Sequence, residues 1–335
     1  MDDLNIRKAG RAGRITFTRP KALNALSHDM ALAIHRALDG WRDDDAVELV
    51  IIDAEGERAF CAGGDIAAVY RAGLAGDHAL GQRFFADEYR MNAAIADYPK
   101  PIVAFMQGFV MGGGVGVGGH ASHRIVGDTT QIAMPESGIG LIPDVGGTWL
   151  LSRAPGRIGE YLALTGARMG AGDAIHAGFA DTYITEDQWP DLIARLESTG
   201  DVSLIEGGDA PTAPLKTMDL SPFAQDTLAD IIDALEEDGN AQTLKILHAN
   251  SPLSMAAGLA MVRAARNDAR MQDSLAREYR FTHRATQDTD FLEGVRAQII
   301  DKDRKPKWTA DASPAHVAAL LAPLGPHELT WREPA

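Results

Sequence analysis

The stretch PIVAFMQGFVMGGGVGVGG (101–119) decides how this chain is to be read. Its first part, 101–108, is an apolar run headed by proline, as expected of a strand buried in a parallel sheet. Its second part is a run of glycine. There the backbone can approach a ligand closely and aim unpaired N–H groups at it. No formal charge occurs from 101 to 122, which is long enough to suggest a membrane span. Seven glycines, Gln107 and His120 argue instead for a buried strand followed by a glycine loop. Gly114, Gly116 and Gly119 also form a literal GxGxxG. A dinucleotide fold needs a sturdy helix directly afterwards and an acid ~20 residues on. Here only a few residues separate the run from the next apolar strand, HRIVGD (123–128), so a nicotinamide site is set aside.

Outward from this stretch, strands and helices alternate. RITFT (14–18) alternates in hydropathy, and ELVIID (48–53) is a short apolar run bounded by charge, so both read as strands. Ser27 is a good N-cap for a helix over 30–41, and Pro99 stops a helix over 81–98. Such alternation predicts an α/β fold with a largely parallel sheet. Residues 199–222 are rich in Gly, Pro and Asp with little periodicity and read as a linker. Beyond them the pattern is helical, over 228–238, 252–268 (Ser251 as N-cap, Pro252 first in the helix), 274–286 and 290–300. The expected organisation is a core over 1–195, then a linker and helical C-terminal region over 196–335.

Composition narrows the function. Lys plus Arg is 32 and Asp plus Glu is 47, a formal net charge of −15. Nucleic acids and anionic membranes call for a basic face, so neither is an expected partner. A small anion needs only a few cations or backbone N–H groups. One cysteine, Cys61, excludes an internal disulfide and a multi-cysteine zinc site. The N-terminus has no apolar signal region, and a cytoplasmic protein is expected.

Glycine, 34 of 335 residues, is concentrated in two further places, FCAGGD (60–65) and MPESGIGLIPDVGGT (134–148). Glu136 and Asp144 in the second follow prolines among glycine and apolar residues. Desolvation there would raise a carboxyl's pKa, which suits acid–base work near neutrality. The alternative is that both merely cap helices. Cys61 reads as a small packed residue, and His120, Ser122 and His123 as structural. No HExxH or similar spacing appears, so no metal is expected.

In combination, RPKALNALS (19–27), AFCAGGDI (59–66), MGGGVGVGG (111–119) and the PE…P-x-x-GG block (135–147) resemble the crotonase (enoyl-CoA hydratase/isomerase) superfamily. The resemblance implies a crotonase-like spiral of ββα units that binds an acyl-CoA thioester. It implies a helix starting near Gly113, which the glycine content alone disfavours. It also implies an oxyanion hole from the backbone N–H groups of Ala62 and Gly113, which stabilise charge developing on the thioester oxygen. Hydratases of the family carry a glutamate in a GGG-x-E pattern, where this chain has Gly116, and usually a glycine where it has Asp144. Glu136 with Asp144, Glu88 in DEYRMN (87–92), and EYR (278–280), DFLEGVRA (290–297) and DKDRKPKW (301–308) resemble the 3-hydroxyisobutyryl-CoA hydrolase branch. Hydrolysis of a β-hydroxyacyl-CoA, as in valine breakdown, is then the implied activity. Glu136 would attack the carbonyl or activate water, and Asp144 would position that water or protonate the leaving thiolate. Glu88 is the residue expected at the acyl hydroxyl. Gly63, Gly64 and Asp65 are further substrate-binding candidates. Lys21 and the cations of 302–307 are candidates for the CoA phosphates. No metal or redox cofactor is implied, and a trimer or hexamer would fit the family. The rival readings are an enoyl-CoA hydratase or isomerase with a rebuilt acid/base pair, and a non-catalytic acyl-CoA-binding protein.

Overall fold

The computed structural model describes residues 3–331. The strands described are β1 (Leu4–Ala9), β2 (Ala12–Phe17), β3 (Leu49–Ala54), β4 (Ala59–Cys61), β5 (Ile102–Met106), β6 (Phe109–Met111), β7 (His123–Val126), β8 (Gln131–Ala133) and β9 (Thr182–Tyr183). They form a six-stranded sheet of order β1-β2-β3-β5-β7-β9 and a three-stranded sheet β4-β6-β8. Only the β1–β2 hairpin is antiparallel. Every other pairing is parallel. Three times the chain lays a strand in the large sheet and the next in the small one, as β3–β4, β5–β6 and β7–β8. This repetition is the expected spiral of ββα units. The strands of the small sheet have three residues each, too short for a periodicity to announce them.

These strands belong to one of two compact units, built from residues 1–65, 90–133 and 168–217. Its helices are α1 (His28–Arg42), part of α3, α4 (Gly113–Gly118), α7 (Ala171–His176) and α8 (Trp189–Thr199), where α2 spans Ala67–Leu74, α3 His78–Ala96, α5 Gly147–Arg153 and α6 Ile158–Thr165. Successive strand residues face opposite sides of a sheet. Ala12, Leu49, Ile51, Val103, Phe105 and Ile125 join Trp189, Leu192, Ile193 and Leu196 of α8 in one buried cluster. The next residue in β2, Gly13, lies on the other face, where a Cβ would come within 2.4 Å of the Trp41 ring of α1. Ser27 caps α1 as its sequence position suggests, accepting the Met30 N–H at 3.3 Å.

The second unit gathers residues 66–89, 134–167 and 218–335. It contains α2, α5, α6, α9 (Leu228–Glu237), α10 (Ala241–Ala249), α11 (Pro252–Ala265), α12 (Met271–Thr282), α13 (Ala285–Asp288), α14 (Phe291–Val295) and α15 (Pro314–Leu321), with α3 as far as Tyr89. A single division near residue 195 therefore does not describe the contacts. Tail and PE block belong together because they touch at glycines. A Cβ at Gly140 would stand 2.4 Å from the Asp290 backbone, and one at Gly294 2.2 Å from that of Ile139. The Ser251 N–H donates to the Ser137 carbonyl at 3.0 Å. Asn250 Nδ2 donates to the Leu164 carbonyl at 2.8 Å. Among the described residues no helix is long and apolar enough to cross a membrane.

Candidate active site

In the first unit the glycine segments meet at the ends of β4 and β6. A Cβ at Gly114 would lie 2.0 Å from the Cys61 carbonyl oxygen, so the run is glycine partly because the two turns press together. Gly63 (φ +112°) and Gly112 (φ +46°, ψ −115°) adopt conformations that other residues rarely reach. The loop over 19–27 then fixes the first turn. The Leu26 N–H donates to Gly63 O at 2.9 Å and the Asp65 N–H to Leu26 O at 2.8 Å.

That pairing corrects one expected donor. The Ala62 N–H donates to the Leu23 carbonyl at 3.0 Å and is not available to a ligand. The N–H of Gly64 has no protein acceptor among the described residues. Gly113 opens α4, where the first helical N–H groups have no partner within the helix. The pair of unengaged donors is thus Gly64 and Gly113. Gly116 is buried within α4 and brings no carboxylate to it.

Among the buried acids of the second unit are Glu88, Glu136, Asp144 and Glu278. Glu136 begins a 3-10 turn, Glu136–Ile139, and its Oε2 has no hydrogen-bond partner in the structure. Burial pushes its carboxyl well above the ordinary range, and the charge of Asp144 adds to this. Glu88 is raised well above its ordinary value by burial and then by Asp144, and its Oε1 is also unpartnered. Asp144 has a donor, the Tyr89 hydroxyl at 2.7 Å. Burial lifts its pKa to about 7 against the pull of that hydrogen bond. Like charges buried together cannot all ionise near neutrality. The Tyr89 hydrogen bond favours the ionised form of Asp144, whereas burial pushes Glu136, which has no such donor on Oε2, toward the neutral acid.

Neither acid is a helix cap. The N-cap of α5 is Gly146, and its first turn is served by Glu278 of α12. That carboxylate accepts the Gly146 N–H at 2.8 Å, the Thr148 N–H at 3.0 Å and the Thr148 hydroxyl. Between Asp144 and α5 the backbone is left-handed twice, at Val145 (φ +53°) and Gly146 (φ +78°). For a β-branched residue this costs about 1–3 kcal/mol and is held by its surroundings. Tyr89, Thr148 and Glu278 are absent from the sequence-based candidates. A signal for Glu278 exists, since helical spacing puts it on the buried stripe of Met271, Leu275 and Thr282.

The other candidates are placed as follows. Asp65 pairs with Arg19 at 3.3 Å. Lys21 is exposed in the 3-10 turn Pro20–Ala22. Lys302, Arg304, Lys305 and Lys307 are exposed, on a segment where Arg296 holds Asp301 and Asp303 at 2.7 Å. Cys61 is buried. Ser122 Oγ is engaged by the Ile102 N–H at 2.9 Å and by His123 Nδ1 at 3.0 Å.

A family model described as enoyl-CoA hydratase/isomerase matches residues 12–321. A protein of Xenopus tropicalis named "3-hydroxyisobutyryl-CoA hydrolase, mitochondrial" is 41% identical, over 91% of this chain and 83% of that one. The human protein of the same name is 36% identical, over 92% of this chain and 84% of its own. Among solved structures, one titled as an enoyl-CoA hydratase from Rhodobacter sphaeroides 2.4.1 has TM-score 0.94 and 56% identity, covering 98% of this chain and 99% of that one. Another, titled as a carnitinyl-CoA dehydratase from Mycobacterium thermoresistibile, has TM-score 0.93 and 41% identity, covering both chains fully.

Proposed function

The chain belongs to the enoyl-CoA hydratase/isomerase family, and from that premise we propose that it hydrolyses the thioester of 3-hydroxyisobutyryl-CoA, or of a close β-hydroxyacyl-CoA, to the free acid and CoA. The observation that carries the reading is that Glu136 and Asp144 are both buried, the charge of Asp144 acting on Glu136, in a chain whose residue 116 is glycine. Hydration of a double bond in this family draws on a glutamate at that helix position. Acyl transfer to water needs a nucleophile or base and a group that returns a proton to the leaving thiolate.

In this reading the Gly64 and Gly113 N–H groups take the thioester oxygen as it gains charge. One such donor is typically worth about 3–4 kcal/mol of barrier. Asp144 accepts the Glu136 proton. Glu136 then attacks the carbonyl carbon, or draws a proton from the water that does. As the C–S bond breaks, the proton held by Asp144 passes to the CoA sulfur. In the covalent route, water attacks the Glu136 anhydride, Asp144 takes the water's proton, and the acid leaves with the hydroxyl. Return of that proton to Glu136 restores the starting state. Exposed Lys21 and the 302–307 cations suit the CoA phosphates.

The unpartnered Glu88 Oε1 gives the acyl hydroxyl a hydrogen-bonding site. A buried polar group left without its partner penalises an analogue lacking that hydroxyl. Thiol release from isobutyryl-CoA is therefore expected to be about 10²-fold or more below that from 3-hydroxyisobutyryl-CoA in kcat/KM. Equal rates would remove the hydroxyl from the specificity.

The pair works with one proton between its members, so activity falls on the acid side as Asp144 protonates. Tyr89→Phe removes the donor that favours the ionised form. The acid limb of the pH–rate profile is expected to move up by about one pH unit. A limb that stays in place would exclude Tyr89 from setting it.

A further inference from the structure

Glu278 is fully buried on α12, yet the partners of its carboxylate are all donors, and all come from the two residues on either side of Gly147. Its helix neighbour Arg277 turns instead to Asp268 at 2.7 Å. Burial lifts the Glu278 pKa to about 7 while its donors pull it back toward the ionised form, and burying a carboxyl beside other acids is a costly way to cap a seven-residue helix when an uncharged side chain would suffice. The segment it grips explains the choice. Asp144 is joined to α5 by the two left-handed residues Val145 and Gly146, and the turn closes with the Gly147 N–H donating to the Asp144 carbonyl at 2.6 Å. The far end of the Asp144 side chain is held by Tyr89 at 2.7 Å. The Asp144 segment is thus held by hydrogen bonds at both ends, the turn at one and the carboxylate at the other.

We propose that Glu278 is a positioning residue for Asp144, clamping through the N–H groups of Gly146 and Thr148 the strained turn from which Asp144 is presented. The proposal rests on the reading that Asp144 acts in the reaction. Asp144 is faced by Glu88 and Tyr89 from α3, by Glu136 from its turn and by Glu278 from α12. On α6 and α11, which pack against α5, Glu160 pairs with Arg157, Arg263 and Arg266. These groups facing Asp144 are acids and a phenol, and removing the charge of Glu278 makes Asp144 easier to ionise.

The test is Glu278→Gln in the full chain, with kcat counted per folded molecule by circular dichroism at the assay temperature. Gln keeps the shape and one acceptor but presents an NH₂ to an N–H. The expected result is a fall in kcat of about 10–100-fold with KM within about twofold. The acid limb should move to lower pH, opposite to the shift for Tyr89→Phe. Folded Glu278→Gln with unchanged kcat and an unmoved limb overturns the proposal. Should Glu278→Gln fail to fold, Thr148→Val loosens the clamp from the other side, and kcat should fall about 3–10-fold at unchanged KM. Unchanged kcat there overturns it equally. Asp144→Asn is measured alongside. Full activity of that variant would remove Asp144 from the reaction, whereas an inactive Asp144→Asn with a fully active Glu278→Gln defeats the Glu278 proposal alone.

Discussion

Glu136→Gln is expected to lower kcat for 3-hydroxyisobutyryl-CoA about 10⁴-fold while KM stays within about threefold. Glutamine matches glutamic acid in size, so the turn at 136–139 keeps its close approaches, Ile139 to Gly294 and Gly140 to Asp290. The amide can neither attack the thioester carbonyl nor draw a proton from water. Because the neutral acid is already the form that burial favours at this position, folding loses little, and the variant should melt close to the parent. Turnover in ¹⁸O-water has one outcome that establishes the covalent route. Label in the Glu136 carboxyl marks an anhydride, since water attacking the acyl carbon leaves the label in the product and water attacking the Glu136 carbonyl leaves it in the protein. Label confined to the product acid fits attack at the acyl carbon by either route, and mass spectrometry of the protein over many turnovers then decides whether any reaches Glu136. Unchanged kcat in Glu136→Gln would take this residue out of the mechanism.

The second large effect is at Asp144. Asp144→Asn keeps an acceptor for the Tyr89 hydroxyl but cannot carry a proton between Glu136 and the thiolate, so kcat should fall about 10²–10⁴-fold. Stability should move the other way. The Asp144 pKa rises from 3.8 to about 7 on folding. Between those values the folded state binds more protons than the unfolded one, so this carboxyl lowers stability as pH rises through the window. Each pH unit of that window is worth roughly 1.4 kcal/mol or less. Asp144→Asn should therefore melt higher than the parent at pH 8, with the difference closing toward pH 4. A variant that is less stable at pH 8, or whose difference does not depend on pH, would show that Asp144 is not a strained buried charge.

The frame of the first unit is legible in the chain because its signals are local. The apolar residues 102–106 become β5, and Ser27 stands directly before the helix it caps, as Ser251 does in the second unit. The three-residue strands β4, β6 and β8 carry no such signal, and they exist only because each pairs with the next. The site divides in the same way. Glu136 and Asp144 stand out beside their prolines and glycines. The choice between Ala62 and Gly64 does not, because what occupies the Ala62 N–H is a carbonyl 39 positions back, at Leu23. Tyr89 and Glu278 reach Asp144 and its turn across 55 and more than 130 positions, and only folding brings them together. Glu278 nevertheless left a trace, an acid on the buried stripe of α12. A charge at an apolar helical position is the pattern worth following in such a chain. The tail beyond the linker was legible as helix, but not as a partner of the PE block, since the meeting of Gly140 with Asp290 and of Gly294 with Ile139 is a matter of close backbone approach.

The most direct test of the central claim sets two reactions side by side with one protein sample. Free thiol is followed with 3-hydroxyisobutyryl-CoA as substrate, and loss of the conjugated double bond with crotonyl-CoA. A hydrolase built on Glu136 and Asp144, with glycine at 116, releases thiol rapidly from the first and leaves the second unhydrated. Efficient hydration of crotonyl-CoA with no thiol from 3-hydroxyisobutyryl-CoA would contradict the account and make the chain a hydratase.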